Sequence, residues 1–280
     1  MLRIDQLRLL PDEPETVLLH KCARLLRVEP SALTGLTVLR RAIDARESLT
    51  FVYTVIVSAP QETALLRRCR DKRVTAYAPE QYALPASVDA PAVRPIVVGA
   101  GPAGLFAALV LAKCGARPIL LERGQCVEQR QRDVQRFWAT GELDTESNVQ
   151  FGEGGAGAFS DGKLTTRIHD PLCGYVLERF AAHGAPAETL RKAKPHIGTD
   201  RLRGVVRSIR EGILENGGQV LFHAQLDGIS VRNGRLEGIT VNGQPMAAGC
   251  LILAVGHSAR DTFRMLAGEG VPFESKAFSV

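Results

Sequence analysis

A glycine-rich turn near the middle of the chain has the clearest chemical meaning. The segment Gly99-Ala-Gly-Pro-Ala-Gly104 follows the spacing G-x-G-x-x-G, between an apolar strand and an apolar helix. The first glycine permits a tight turn, the second lets a diphosphate approach the backbone, and the third lets helix and strand pack closely. Free N–H groups at the helix N-terminus attract the same anion. The turn therefore predicts a dinucleotide site whose contacts include Gly99, Gly101, Pro102, Ala103 and Gly104.

An acidic residue lies where such a fold binds ribose. The strand Pro118–Leu121 ends at Glu122, about 20 residues beyond the turn. A carboxylate there accepts hydrogen bonds from ribose hydroxyls and repels a 2′-phosphate, which disfavours NADP at this site. The alternative is an accidental glycine turn in another α/β protein, with Glu122 a solvated strand end.

Two later segments favour a flavin dinucleotide, FAD, over a free nicotinamide. Gly152–Leu164 is glycine-rich, so its backbone can lie against a large ligand, although a flexible surface loop is the alternative. It imitates a phosphate-binding P-loop, but Leu164 replaces the Ser/Thr that would hold magnesium, so we reject an ATPase. Cys250–His257 reads as a buried strand running into a glycine, or as an ordinary core strand. The further contacts expected for FAD are Arg123, Gly154, Gly155, Gly162, Leu226, Ala254 and Gly256.

Taken together, these stretches resemble the bacterial family of uncharacterised FAD-dependent dehydrogenases, relatives of the glutathione-reductase-like flavoproteins. The segments that carry the resemblance are Arg41–Arg46, Gly99–Gly104, Glu122–Gly124, Asn148–Leu164, Lys194–Asp200 and Gly256–Asp261. It extends over nearly the whole chain, but Val255 stands where similar proteins commonly have Thr. The resemblance implies non-covalently bound FAD and oxidoreductase activity, with NAD(P)H as a candidate electron donor and no settled substrate.

Catalytic residues are not identified by a motif of their own. Asp161, Lys163 and His257 lie on segments expected near the flavin ring, where they could polarise it or relay protons. The alternative for each is a structural cap or a solvated charge, and His196 is a weaker candidate. No C-x-x-x-x-C pair exists for disulfide chemistry. Two other classes stay open, namely a flavin-dependent tRNA-modifying type of protein and a flavin-binding protein without turnover.

The order of elements predicts an α/β protein of two parts. Residues 1–88 are expected to form a small α/β module with a βαβ-like start, joined by a proline-rich linker to a Rossmann-like FAD-binding domain of the glutathione-reductase type over residues 93–280. Residues of about 165–200 are expected to belong to an inserted substrate domain. The chain stops apparently inside a strand, so we expect the C-terminal part of the family fold to be missing.

The pattern also predicts individual elements. Residues 135–163 are expected to be mostly loop, and Asn233-Gly234 is expected to turn a hairpin. The predicted helices are Glu15–Arg27, Gln61–Arg70, a helix running from the glycine turn to Cys114, Leu172–His183 and Asp200–Asn216, the last capped at Thr199/Asp200. The predicted strands are Leu2–Leu10, Val38–Arg46, Thr50–Ser58, Ile96–Val98, Pro118–Leu121, Gln219–Ala224, Asp227–Arg232, Arg235–Val241 and Cys250–Val255.

Composition limits the partners. The net charge is +5, but the arginines are scattered and no run of consecutive basic residues resembles a nucleic-acid arm. Six dispersed cysteines without a C-x-x-C pair argue against a metal site and fit a reduced, cytoplasmic protein. We therefore expect a small-molecule substrate, with no membrane contact and no nucleic-acid partner, and the oligomeric state is left open.

Overall fold

The chain folds into two compact units. A computed structural model describes residues 1–79, 82–160, 162–164, 166, 168 and 170–277. One unit comprises Met1–Tyr82 and Lys163–Ile197, and the other comprises Ala83–Gly162 and Gly198–Val280. Residues 163–197, which we expected within the second part of the chain, are thus grouped with the N-terminal unit.

The chain contains both strands and helices, as expected of an α/β protein. The strands are β1 (Leu2–Leu9), β2 (Thr34–Asp44), β3 (Thr50–Ser58), β4 (Val74–Ala76), β5 (Ile96–Val98), β6 (Ile119–Leu121), β7 (Gln219–Leu221), β8 (Leu226–Arg232), β9 (Arg235–Val241), β10 (Gln244–Ala247) and β11 (Leu251–Leu253). The helices are α1 (Val17–Leu26), α2 (Glu62–Arg68), α3 (Pro102–Lys113), α4 (Val127–Thr140), α5 (Pro171–Ala182), α6 (Thr199–Glu215) and α7 (Arg260–Gly268).

The N-terminal unit is built on an antiparallel sheet in the order β2-β3-β1-β4. Alternate residues of β1 are buried, as a strand with one face on a core requires, and they pack with the apolar face of α1. The short strand β4 pairs with β1 only along Leu2–Ile4. Beyond this point the edge of β1 is free of β4.

The second unit contains the expected β-α-β corner. Its parallel sheet has the order β11-β5-β6-β7, with Ile96 opposite Ile119 and Leu251. Helix α3 connects β5 to β6 and packs beside α6. Since parallel strands end at one edge of a sheet, the segments that follow β5, β6 and β11 meet there. A separate antiparallel sheet, β10-β9-β8, includes the predicted hairpin, whose turn residues Asn233 and Gly234 have φ of 51° and 73°.

Several sequence predictions are wrong in detail. Residues 135–140 are helical, because they belong to α4, whose buried face carries Arg130 and Asp133 beside Val127 and Val134 and so hides the apolar periodicity. Helix α6 begins after Gly198, and no side chain caps it.

The strand predicted at 250–255 is shorter than expected and is not buried. β11 pairs with β5 on one side only within the described residues, and Leu253 is 42% exposed. The elements β4, β10 and α7 were not predicted.

Candidate cofactor-binding site

The glycines of the Gly99–Gly104 turn have different physical roles. A Cβ atom on Gly99 would overlap the carbonyl oxygen of Ala254, and one on Gly104 would overlap the carbonyl oxygen of Gly99. These two glycines therefore permit close packing within the protein. A Cβ on Gly101 would meet only the Cα of Gly155, at 3.9 Å. The bare backbone of Gly101 leaves open space instead.

Helix α3 directs its N-terminus to this open space. Gly101 is the N-cap and its helix has no side-chain cap, while Pro102 occupies the first turn. The first-turn N–H groups of an α-helix have no partner within the helix and carry partial positive charge. The corner can therefore accept an anionic group.

A cavity of about 290 Å³ lies at this corner. It is lined by the turn after β5, by the end of β6, by part of the glycine-rich segment and by the turn after β11. The lining residues are Val98, Gly99, Gly101, Pro102, Ala103, Glu122, Arg123, Gln150, Phe151, Gly152, Gly155, Ala156, Ala224, Leu226, Ala254, Val255, Gly256, His257, Ser258 and Thr262. The fold thus brings together the three segments that the sequence analysis singled out.

The carboxylate of Glu122 connects three parts of this site. Glu122 is 5% exposed, and its Oε2 accepts a hydrogen bond from the Ala100 N–H at 2.7 Å. Its Oε1 accepts from the N–H groups of Gly124 and Gly152, each at 3.0 Å. A carboxylate offers about four lone-pair positions, so one remains for a ligand hydroxyl. Glu122 therefore organises the backbone of the site in addition to facing the cavity.

Arg130 fixes the position of the glycine-rich segment through hydrogen bonds. Its buried guanidinium donates to the carbonyl oxygens of Asn148 and Val149 at 2.8 and 3.0 Å and to those of Glu153 and Gly155 at 2.7 and 2.9 Å. Burial lowers the pKa of Arg130 to about 10, which leaves it charged at neutral pH. Sequence reasoning missed this residue, because α4 itself was not predicted and Arg130 belongs to its buried face.

Glu153 joins the glycine-rich segment to α4 and α6. Its Oε2 accepts from the Val127 N–H at 2.8 Å and from Nη1 of Arg210 at 2.9 Å. No described residue donates a hydrogen bond to the buried Oε1. Burial raises the pKa of Glu153 to about 7, because the cost of desolvation exceeds the opposing effects of the Val127 hydrogen bond and the Arg210 charge.

Arg123 connects two walls of the cavity. Its Nη2 donates to Asp261 at 2.8 Å and to the hydroxyl of Thr262 at 3.1 Å, at the start of α7. Its guanidinium also lies over the ring of Phe151, 4.6 Å from the centroid. The side chain therefore positions the cavity wall as well as lining it.

The turn after β11 supplies the polar groups on another wall. The hydroxyl of Ser258 contacts Oε1 of Gln150 at 3.0 Å and Nε2 of His257 at 3.3 Å. Of the candidate catalytic residues, His257 lines the cavity. Sequence reasoning did not assign Gln150, Phe151, Ser258 or Thr262 to the site, although the first three lie in segments that carry the family resemblance.

Other expected site residues lie elsewhere. Gly154 does not line the cavity and packs beside Val206, with its N–H donating to the Ala100 carbonyl at 2.8 Å. Gly162 lies against the backbone of Gly198, where a Cβ would come within 2.8 Å of its nitrogen. Lys163 belongs to the N-terminal unit and forms a β-bridge with His196. Asp161 lies outside the described residues.

In the part of the chain that the structure describes, no group of three or more His, Cys, Asp or Glu residues is arranged to hold a metal ion. None of the helices there combines the length and apolarity needed to cross a membrane.

Comparison with known families agrees with this geometry. Residues 94–161 match the family model described as FAD binding domain. These residues all belong to the second unit. The match includes the glycine turn, Glu122, Arg130 and the glycine-rich segment up to residue 161, and it confirms the expected α/β fold and the resemblance to FAD-binding flavoproteins. Residues 1–58 match a domain of unknown function (DUF8436).

Individual proteins resemble the chain over different lengths. A protein of Clostridium beijerinckii described as uncharacterized is 44% identical over 282 residues, which cover 100% of this chain and 53% of that protein. The chain thus spans about half the length of this curated relative. THI4 of Thermovibrio ammonificans shares 18% identity over 64% of each chain, with a TM-score of 0.43. L-proline dehydrogenase of P. horikoshii shares 13% identity over 68% of this chain and 58% of its own, with a TM-score of 0.37.

Proposed function

We propose that the protein is an oxidoreductase that binds FAD non-covalently at this corner. The observation that carries the proposal is the bare backbone of Gly101, facing a cavity at the N-terminus of α3 and beside Glu122, within the segment that matches an FAD-binding domain. Bound FAD supplies hydride transfer.

The chain's own residues have distinct roles in this proposal. The N–H groups at the start of α3 and the open backbone of Gly101 bind the diphosphate. The remaining lone-pair position of Glu122 accepts a ribose hydroxyl, while the three backbone N–H groups hold the carboxylate in place. Arg130 holds the glycine-rich segment against this region.

His257 is the candidate group for moving a proton. It lies in the cavity wall beside Ser258, whose hydroxyl reaches both Nε2 of His257 and Gln150. An imidazole can accept a proton at one ring nitrogen and donate one from the other, so this side chain is suited to proton transfer. The reaction proposed is hydride transfer between a small-molecule substrate and NADH or NADPH, passing through the bound cofactor.

An absorbance spectrum of the protein refolded with excess FAD and then freed of unbound cofactor tests the first part of the proposal. We expect the visible bands of a bound flavin, with the cofactor released intact on denaturation. A colourless protein without cofactor by mass spectrometry would show that the assignment is wrong.

Anaerobic mixing tests the second part. If the protein is an oxidoreductase, NADH or NADPH should bleach the flavin bands, and the preferred donor should bleach them faster. A yellow protein that neither donor nor a panel of organic reductants bleaches is a flavin-binding protein without turnover. The two experiments therefore separate cofactor binding from enzymatic activity.

A further inference from the structure

The N-terminal unit contains a strongly basic groove of about 870 Å³. Seven of its lining side chains are cationic, and one, Asp71, is anionic. The cationic residues are Arg8, Lys21, Arg24, Arg27, Arg68, Arg70 and Arg73. They come from three separate stretches of sequence, the third of which lies within the basic segment of residues 67–73.

The groove follows from the short length of β4. Because β4 pairs with β1 only along Leu2–Ile4, the chain between α2 and β4 passes beside the free edge of β1. Arg24 lies in the last turn of α1, and Arg27 follows as the C-cap residue of the helix. Arg68 donates to the carbonyl oxygens at the end of the same helix, those of Leu26 and Arg27, at 3.3 and 3.2 Å.

Several of these charges already have partners in the protein. Arg73 pairs with Asp71 at 2.7 Å, Lys21 with Glu13 at 3.2 Å and Arg8 with Asp44 at 3.0 Å. Three carboxylates thus offset three of the seven cations, and four positive charges remain.

Three of the four remaining cations have side chains without a partner among the described residues. Arg24, Arg27 and Arg70 are exposed, and their guanidinium groups form no hydrogen bond or ion pair with a described residue. Their guanidinium groups are therefore available to a ligand, whereas Arg68 is partly used by the carbonyl oxygens of α1.

The side chains that line the groove indicate which kind of ligand it binds. Guanidinium groups bind phosphate through paired, charge-assisted hydrogen bonds, and six of the seven cations are arginines. None of the lining residues is aromatic, so the groove offers no surface on which a base would stack. The groove is therefore suited to contact phosphate groups and not bases.

We propose that this groove binds a ligand that presents several phosphate groups. Two sources share this chemistry, namely the backbone of a polynucleotide and a small polyphosphorylated compound. The groove belongs to the N-terminal unit alone, so the proposal is independent of the FAD site.

The test uses the full chain and two probes, a fluorescently labelled single-stranded RNA oligonucleotide and inorganic triphosphate. The groove variant is R24Q/R27Q/R70Q, and the control is R136Q/R232Q/R235Q, which removes the same charge from exposed arginines outside the groove. We expect the groove variant to bind at least about tenfold more weakly, with a shallower salt dependence, because counterion release scales with the number of phosphate contacts. The control should stay within about twofold of the wild type, by the same reasoning.

The outcomes separate the sources. Affinity for RNA but not for triphosphate indicates a polynucleotide, and affinity for triphosphate indicates a small polyphosphate compound. Absence of binding to both probes, or equal loss in the groove variant and the control, overturns the proposal. Thermal unfolding of both variants verifies that the folded state is retained, which is expected because the changed side chains are exposed and unpaired in the groove.

Discussion

Gly101 differs from the other two glycines of its turn because no atom of the protein needs the space beside it. Gly99 and Gly104 are required by packing, whereas a Cβ on Gly101 would have ordinary contact distances and its φ of −69° suits any residue. The identity of this residue is therefore explained by a ligand and not by the fold. This distinction cannot be read from the sequence, where all three glycines look equivalent.

Gly101→Ala should separate cofactor binding from folding. We expect the variant to fold as the wild type does and to bind FAD at least about tenfold more weakly, a loss of about 1.4 kcal/mol, because the methyl group occupies space needed by the diphosphate. The measurement is a flavin titration followed by fluorescence. Gly204→Ala, on a glycine of α6 whose Cβ would meet nothing, is the matched control and should leave the affinity unchanged. Equal FAD affinity of G101A and the wild type would contradict the site.

Glu122→Ala should destabilise the protein even without cofactor. Removing the carboxylate leaves three backbone N–H groups without their charged acceptor. We expect the free energy of unfolding of the apoprotein to fall by about 3 to 5 kcal/mol, measured by urea denaturation. Glu142→Ala, at an exposed position, should change it by less than about 0.5 kcal/mol. An apoprotein as stable as the wild type would mean that these hydrogen bonds are not formed.

At the scale of elements, the glycine-rich segment depends on helix α4. Four carbonyl oxygens of residues 148–155 accept from one arginine side chain, so the position of the segment is determined by a helix that precedes it. The hydrophobic pattern could not predict this helix, because the residues that face inward on it include a cation and a carboxylate. Glycine content alone suggested a loop, whereas hydrogen bonds from Arg130 give the segment a defined conformation.

Arg130→Met should loosen this segment. The substitution keeps an unbranched side chain but leaves the carbonyl oxygens without donors, so we expect a loss of about 3 to 5 kcal/mol in the free energy of unfolding. Hydrogen exchange should also become faster in residues 148–155 than in the rest of the unit. Arg132→Met changes an exposed arginine of the same helix and should have little effect on either quantity. Unaltered exchange in the segment of R130M would show that another contact holds it.

The Glu153 contacts predict a pH dependence of stability. Its folded-state pKa of about 7 lies above the ordinary value of 4.5, so the folded state binds the proton more tightly than the unfolded state does. Protonated Glu153 therefore contributes fully to the free energy of unfolding below about pH 4.5. This contribution, up to about 3 kcal/mol, is lost as the pH rises to about 7. Urea unfolding of the wild type and of Glu153→Gln between pH 4.5 and 8 measures the difference. If both proteins respond identically to pH, the titrating group is not Glu153.

At the scale of the whole molecule, local motifs were predictable and long-range placements were not. A few adjacent residues determine the structure of the Gly99–Gly104 turn and of the Asn233-Gly234 turn, so both could be predicted. By contrast, β11 was expected in the core because its residues are apolar, and its position at the side of the sheet depends on which strands pair with it. The cavity wall formed by Gln150, Phe151 and Ser258 depends on the folded chain in the same way.

The basic groove shows that the clustering of charges in the fold also cannot be predicted from the sequence alone. A search for basic runs finds the short segment Arg67–Arg73, but it does not connect this segment with Arg24 and Arg27, which are distant in the sequence. The fold gathers them because α1 and the chain after α2 lie beside one strand. Charge patterning along a sequence therefore predicts basic tails better than basic grooves.

The three backbone contacts of Glu122 have a consequence for how a ligand is received. The carboxylate takes its position when the chain folds, so no rotamer of this side chain has to be ordered when a nucleotide arrives. A preorganised acceptor of this kind contributes its interaction to affinity without an accompanying loss of conformational entropy. The empty and loaded forms of the protein are accordingly expected to share one geometry around this carboxylate.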